Sequence, residues 1–149
     1  MKHKLAGLVV WVWAGWVLAA PQMQAGQWQI KQVMTMVKAP QGMPKQPPRT
    51  VTLAQCLKTE DQRSPEAVLA QMDQQMKQHQ CVIKDKKLGE NSLSYVVSCP
   101  QMEQKAQLRF DPKQFNGAID MTMKGQPPMQ MHIELQGQYI GACPPAKAK

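Results

Sequence analysis

The sequence predicts an α+β fold: an antiparallel meander sheet of about five strands, one amphipathic helix covering its apolar face, and two disulfides. Three observations predict it. Apolar and polar residues alternate at period two along the first strand and through most of the second half of the chain. One stretch near the middle switches to a helical period behind a Ser-Pro-Glu start. Four cysteines, Cys56, Cys81, Cys99 and Cys143, lie downstream of a segment with the marks of an export signal.

That segment opens the chain. Lys2, His3 and Lys4 precede an apolar run from Leu5 to Ala20, and Pro21 to Ala25 turns polar. A basic start, a short apolar core and small residues near the cut describe a secretory signal peptide. The run is short for a membrane helix of about 20 residues. Residues 1–25 are therefore assigned to the signal, with cleavage after Ala25 and a second possible cut after Ala19. No stable membrane span is expected after cleavage. The mature chain has one domain over residues 26–143 and a frayed tail over 144–149. Losing Lys2 and Lys4 takes the formal charge from +8 to +6. The cations are scattered, and their one tight cluster, Lys84, Lys86 and Lys87, has no aromatic residues between its members. A nucleic-acid partner is not expected from such a pattern.

Each element has its own signal. Trp28, Ile30, Gln32, Met34 and Met36 share one side of a strand over residues 26–38. Four prolines and a glycine between Ala39 and Thr50 predict a loop over residues 39–50. Ser64, Pro65 and Glu66 suit the N-cap and first turn of a helix running to about His79. Val68, Leu69, Met72 and Met76 form its apolar face, which His79 continues. Period two returns after Cys81. Leu93, Tyr95, Val97 and Cys99 share one face and Ser92, Ser94 and Ser98 the other; Ala106, Leu108 and Phe110 alternate with polar residues. Phe115, Gly117, Ile119, Met121 and Met123 then share a face, as do Met129, Met131, Ile133 and Leu135. Proline and glycine mark the turns, so these strands form a meander with one wet face.

Four cysteines allow three pairings. A hairpin turning near Gly89-Glu90-Asn91 sets Cys81 opposite Cys99 at its open end, where the spacing suits a bridge. That pairing leaves Cys56 for Cys143. No Cys-x-x-Cys is present, which argues against thioredoxin-like redox chemistry and a zinc knuckle.

The order of short motifs carries a resemblance. Gly26-Gln27-Trp28 opens a strand after the signal. Cys56-Leu57 follows, Cys81 and Cys99 flank a hairpin, and Gly141-Ala142-Cys143 closes the domain. In this the chain resembles the bacterial domain-of-unknown-function family 3617, small exported proteins. The resemblance spans nearly the whole mature chain. It implies a periplasmic protein of the Gram-negative envelope and, because the family carries no established activity, no functional residues.

Little in the sequence points to catalysis. His79 and His132 lie in no nucleophile motif, and the acids have no spacing that singles out a pair. His132 and Glu134 share a strand face, as many solvated pairs do. No phosphate loop or zinc signature is present, so neither an enzyme nor a cofactor is expected. The methionines raise a different possibility. Met121/Met123 and Met129/Met131 are Met-x-Met pairs whose thioethers suit Cu(I) or Ag(I). The same positions extend the apolar sides of two strands, and packing is the favoured reading. The expected function is a non-enzymatic binding or accessory module for an apolar ligand or an envelope protein, with periplasmic Cu(I)/Ag(I) binding as the alternative.

Overall fold

The computed structural model describes residues 23–59 and 65–146. Residues 1–22 of the expected signal peptide, the Ser64 cap, the side chain of Val68 and the end of the tail lie outside the described residues. The elements run β1 (Gly26–Lys38), β2 (Arg49–Leu57), α1 (Pro65–Gln78), β3 (Val82–Leu88), β4 (Ser92–Ser98), β5 (Met102–Asp111), β6 (Gln114–Met123) and β7 (Met129–Gly141). The strands form one antiparallel sheet in the order β2-β1-β7-β6-β5-β4-β3.

Seven strands replace the expected five. The Pro-rich segment is shorter than 39–50, because Arg49 and Thr50 already belong to β2. The run "TVTL" from Thr50 to Leu53 alternates β-branched and apolar residues, which is a strand signal. The meander then covers β3 to β7, and β7 returns to pair with β1.

Register fixes the two faces. Trp28, Ile30, Gln32, Met34 and Met36 of β1 share a side with Tyr139, Gly137, Leu135, Ile133 and Met131 of β7. The same rows continue through Phe115, Gly117, Ile119 and Met121 of β6 into β5 and β4. The other face carries polar residues from Ser92 and Ser94 across to Glu134 and Gln136.

Two packed regions hold the apolar face. At one end Leu69 of α1 is buried with Ile83, Leu93, Tyr95, Val97 and Ala106, with Met72 and Met76 against them. The helix stops at Gln78, so His79 is exposed and does not extend the apolar stripe. At the other side Trp28, 1% exposed, meets the edge of Tyr139 and the tilted ring of Phe115 at 6.1 and 6.0 Å between centroids. Gly26 belongs to this cluster. Its φ of +145° is rare for other residues, and a Cβ there would strike the Tyr139 ring.

Disulfides join Cys81 to Cys99 and Cys56 to Cys143. The first closes the β3–β4 hairpin where α1 enters. The pairing numbers in that hairpin sum to 180 from Val82↔Ser98 to Lys84↔Val96 and then slip by one. The slip is a bulge in which Asp85 takes a φ of +52°. The second bridge ties β2 to the segment leaving β7, across the start of β1, where Gln27 pairs with both Cys56 and Gly141.

Candidate functional site

The described residues hold one helix and seven strands, and one helix cannot cover them all. At the usual spacing of about 4.8 Å the sheet is roughly 29 Å across, whereas helices are about 10–12 Å wide. α1 packs against β3, and the core it joins is built from β3, β4 and β5, with Ile119 of β6 packed at its border. The expectation that the helix covers the apolar face holds only for that end. Across β1, β7 and β6 the same face carries Ile30, Met34, Leu135, Ile133 and Ile119, all half-buried. Next to them Met36, Met131 and Met121 occupy one row, and Met129, Met123 and Met102 the next. Met123 is 39% exposed.

The structure thus places Met121, Met123, Met129 and Met131 on one side of two paired strands. It adds Met36 and Met102 from the flanking strands. None belongs to the buried core. Sequence periodicity finds the Met-x-Met pairs. It misses the rows, because these depend on which strands become neighbours.

His132 points to the opposite face. Its Nδ1 lies 2.6 Å from Asp120 Oδ1 on β6, and its Nε2 lies 3.8 Å from Glu134 Oε1. All three are surface groups, and such ion pairs contribute little to stability. A cavity of about 860 Å³ opens on this polar face, lined among others by Ser94, Arg109, Asn116, His132, Glu134 and Gln136. Leu93, Leu108 and Leu135 also border it, but their side chains share the apolar face, and Leu93 is 1% exposed. The backbone between the polar residues forms the floor. Ser94 and His132 border the same cavity on strands three places apart, about 14 Å at ordinary strand spacing. That separation is too great for a nucleophile and its base.

Two groups on the covered half have shifted pKa values. Lys77, one helical turn along, hydrogen-bonds Asp73 at 3.0 Å, and Lys86 lies 3.8 Å from it; together they hold its carboxyl below the usual value. Burial pushes the Tyr95 phenol up. Neither borders the open strip. Among the described residues no group of three or more His, Cys, Asp or Glu side chains is placed to hold a metal ion. Among the same residues no helix is long and apolar enough to cross a membrane.

A single sheet bolted by two disulfides, capped by a helix at one end and open at the other, defines a small disulfide-bridged α+β domain. Its family follows from the sequence: the family model described as "Protein of unknown function (DUF3617)" matches residues 23–143, and the chain belongs to that family. No curated protein and no solved structure matches it.

Proposed function

We propose that this chain is an exported, non-enzymatic binding module of the bacterial periplasm. On this reading the open strip of its sheet takes the acyl chain of an anionic amphiphile. One observation carries the proposal: the core under α1 draws on β3 to β5 and reaches Ile119 of β6, and beyond it Ile30, Met34, Ile133 and Leu135 lie half-buried side by side. Each methylene removed from water on such a surface contributes about 0.8 kcal/mol. Charge favours an anionic head group. Arg49 sits beside Met34 in the row that runs on through Ile133 and Ile119, and Lys45 lines a small cavity with Met36 and Met43. The two disulfides support an oxidising compartment.

Export would use the N-terminal segment, and the fold bears on where it is cut. Gln24 donates its N–H to Pro112 O at 2.8 Å and accepts the Trp28 indole N–H at 2.9 Å. Cleavage after Ala25 would remove the indole's acceptor beside a buried ring. Cleavage after Ala19 keeps it and fits a family match that starts at residue 23. Intact mass of the chain recovered from the periplasm distinguishes the two.

Native mass spectrometry of that chain, followed by titration with a fluorescent fatty acid, tests the ligand. A co-purifying lipid and saturable uptake that Ile133→Asp abolishes are expected. If neither occurs while the protein remains folded, the acyl reading fails. Dimerisation that the same substitution abolishes would instead assign the strip to a second copy.

A further inference from the structure

The open corner is distinctive in composition as well as exposure. Met36 of β1 lies opposite Met131 of β7, and Met131 lies opposite Met121 of β6. In the adjacent row Met129 of β7 faces Met123 of β6, which faces Met102 of β5. Directly opposed residues of an antiparallel pair point to the same side with Cα atoms about 4.5–5.5 Å apart. Two rows of three thioethers therefore lie side by side. Met121 and Met123 join them along β6, and Met129 and Met131 join them along β7. Met43 borders a cavity of about 220 Å³ together with Met36.

Packing alone accounts poorly for this arrangement. Methionine fills gaps in a core, and among the described residues no helix or second sheet packs over these rows. Met36, Met102, Met121, Met129 and Met131 are half-buried, while Met43 and Met123 are exposed. The methionines of α1 behave differently, with Met72 and Met76 packed on the core. One row away from Met131, where the strip needs only apolar cover, the chain uses Ile133 and Ile119. What the methionines add is a soft, neutral sulfur donor on a flexible stem. Such donors select monovalent copper or silver over hard or divalent cations. Three of them on neighbouring strands can converge above the central one through side-chain rotation, without backbone movement.

We propose that Met36, Met131 and Met121 form a binding site for a monovalent soft metal ion, Cu(I) or Ag(I), with Met131 as the central donor. His132 takes no part, because it faces the other side and bonds Asp120. The proposal stands apart from the acyl-chain reading. Methionine-to-leucine substitution removes the sulfur and leaves the apolar surface, so the two fail separately.

The experiment uses the exported chain with both disulfides formed and no free thiol detected. Ag(I), which needs no reductant, is added first and bound ions are counted by native mass spectrometry. Cu(I) affinity is then measured in competition with a chromophoric Cu(I) chelator. One ion per chain is expected. Met131→Leu should weaken binding at least tenfold, and Met36→Leu or Met121→Leu should also weaken it. Met72→Leu should leave it unchanged. Leucine has nearly the volume of methionine, so the thermal midpoints should stay close to that of the parent. Absence of a retained ion overturns the site. So does unchanged retention in the folded Met36→Leu/Met121→Leu/Met131→Leu variant. Binding that depends on Met102 and Met129 but not on Met36 overturns the assignment to this row.

Discussion

Phe115 occupies the space where a side chain at Gly137 would lie, so that position is closed to every residue larger than glycine. The ring is held between Trp28 and Phe110, at centroid distances of 6.0 and 6.4 Å, and has little freedom to withdraw. Gly137→Ala should therefore overpack the cluster and cost about 1–3 kcal/mol, read as a lower urea midpoint with an unchanged slope. Tyr95 makes a different prediction. Burial raises its phenol above the ordinary value of 10.0. Between that value and the raised one, the unfolded chain has lost the proton and the folded chain keeps it. Stability present below pH 10 should thus fall as pH rises through this window, by at most about 1.4 kcal/mol per pH unit. Urea titrations from pH 9 to 11 should show a shallower fall in Tyr95→Phe. His132, the histidine that draws the eye in the sequence, ends as a surface partner of Asp120.

At the scale of elements, the strands with one dry face were legible and the pairing between distant ones was not. Leu93, Tyr95 and Val97 share a face opposite Ser92, Ser94 and Ser98, and β4 is plain from the sequence. β2 is harder to see. It borders the sheet, most of its residues are exposed, and Thr50 and Thr52 soften the contrast that alternation relies on. The extent of the helix could be read from Pro65 and its apolar spacing, but not its coverage, which depends on how many strands gather beneath it. The methionine rows were hidden for a related reason. The return of β7 to β1 over about a hundred residues puts Met36 beside Met131, and no local pattern announces it. α1 offers a direct measurement. Leu69 is its buried link to the core cluster, and Leu69→Ala should cost about 2–5 kcal/mol. Hydrogen exchange should then quicken in α1 and β3 before it does in β1 and β7, where the Trp28 cluster is untouched.

For the molecule as a whole, the two bridges are unequal. By loop entropy, the 87-residue separation of Cys56 and Cys143 is worth about 4.6 kcal/mol and the 18-residue separation of Cys81 and Cys99 about 3 kcal/mol. These are large against a domain stability of about 5–15 kcal/mol. Cys56→Ser with Cys143→Ser should lower the thermal midpoint more than Cys81→Ser with Cys99→Ser does, by calorimetry at equal concentration.

The two borders of the sheet are guarded in different ways. β3 carries Lys84, Lys86, Lys87 and a bulge, each of which discourages another strand from adding on. β2 has one charged residue, Arg49, and otherwise offers Thr, Val, Leu, Ala and Gln along its length. What holds β2 down is its pairing with β1 and the Cys56–Cys143 bridge. Where thiols stay reduced, that bridge is missing, and both β2 and the edge of β1 beneath it become templates for intermolecular pairing. The second bridge is therefore expected to oppose self-association. Its removal should increase light scattering and thioflavin binding relative to the bridged protein, and Leu53→Lys on β2 should reverse both without restoring the bridge.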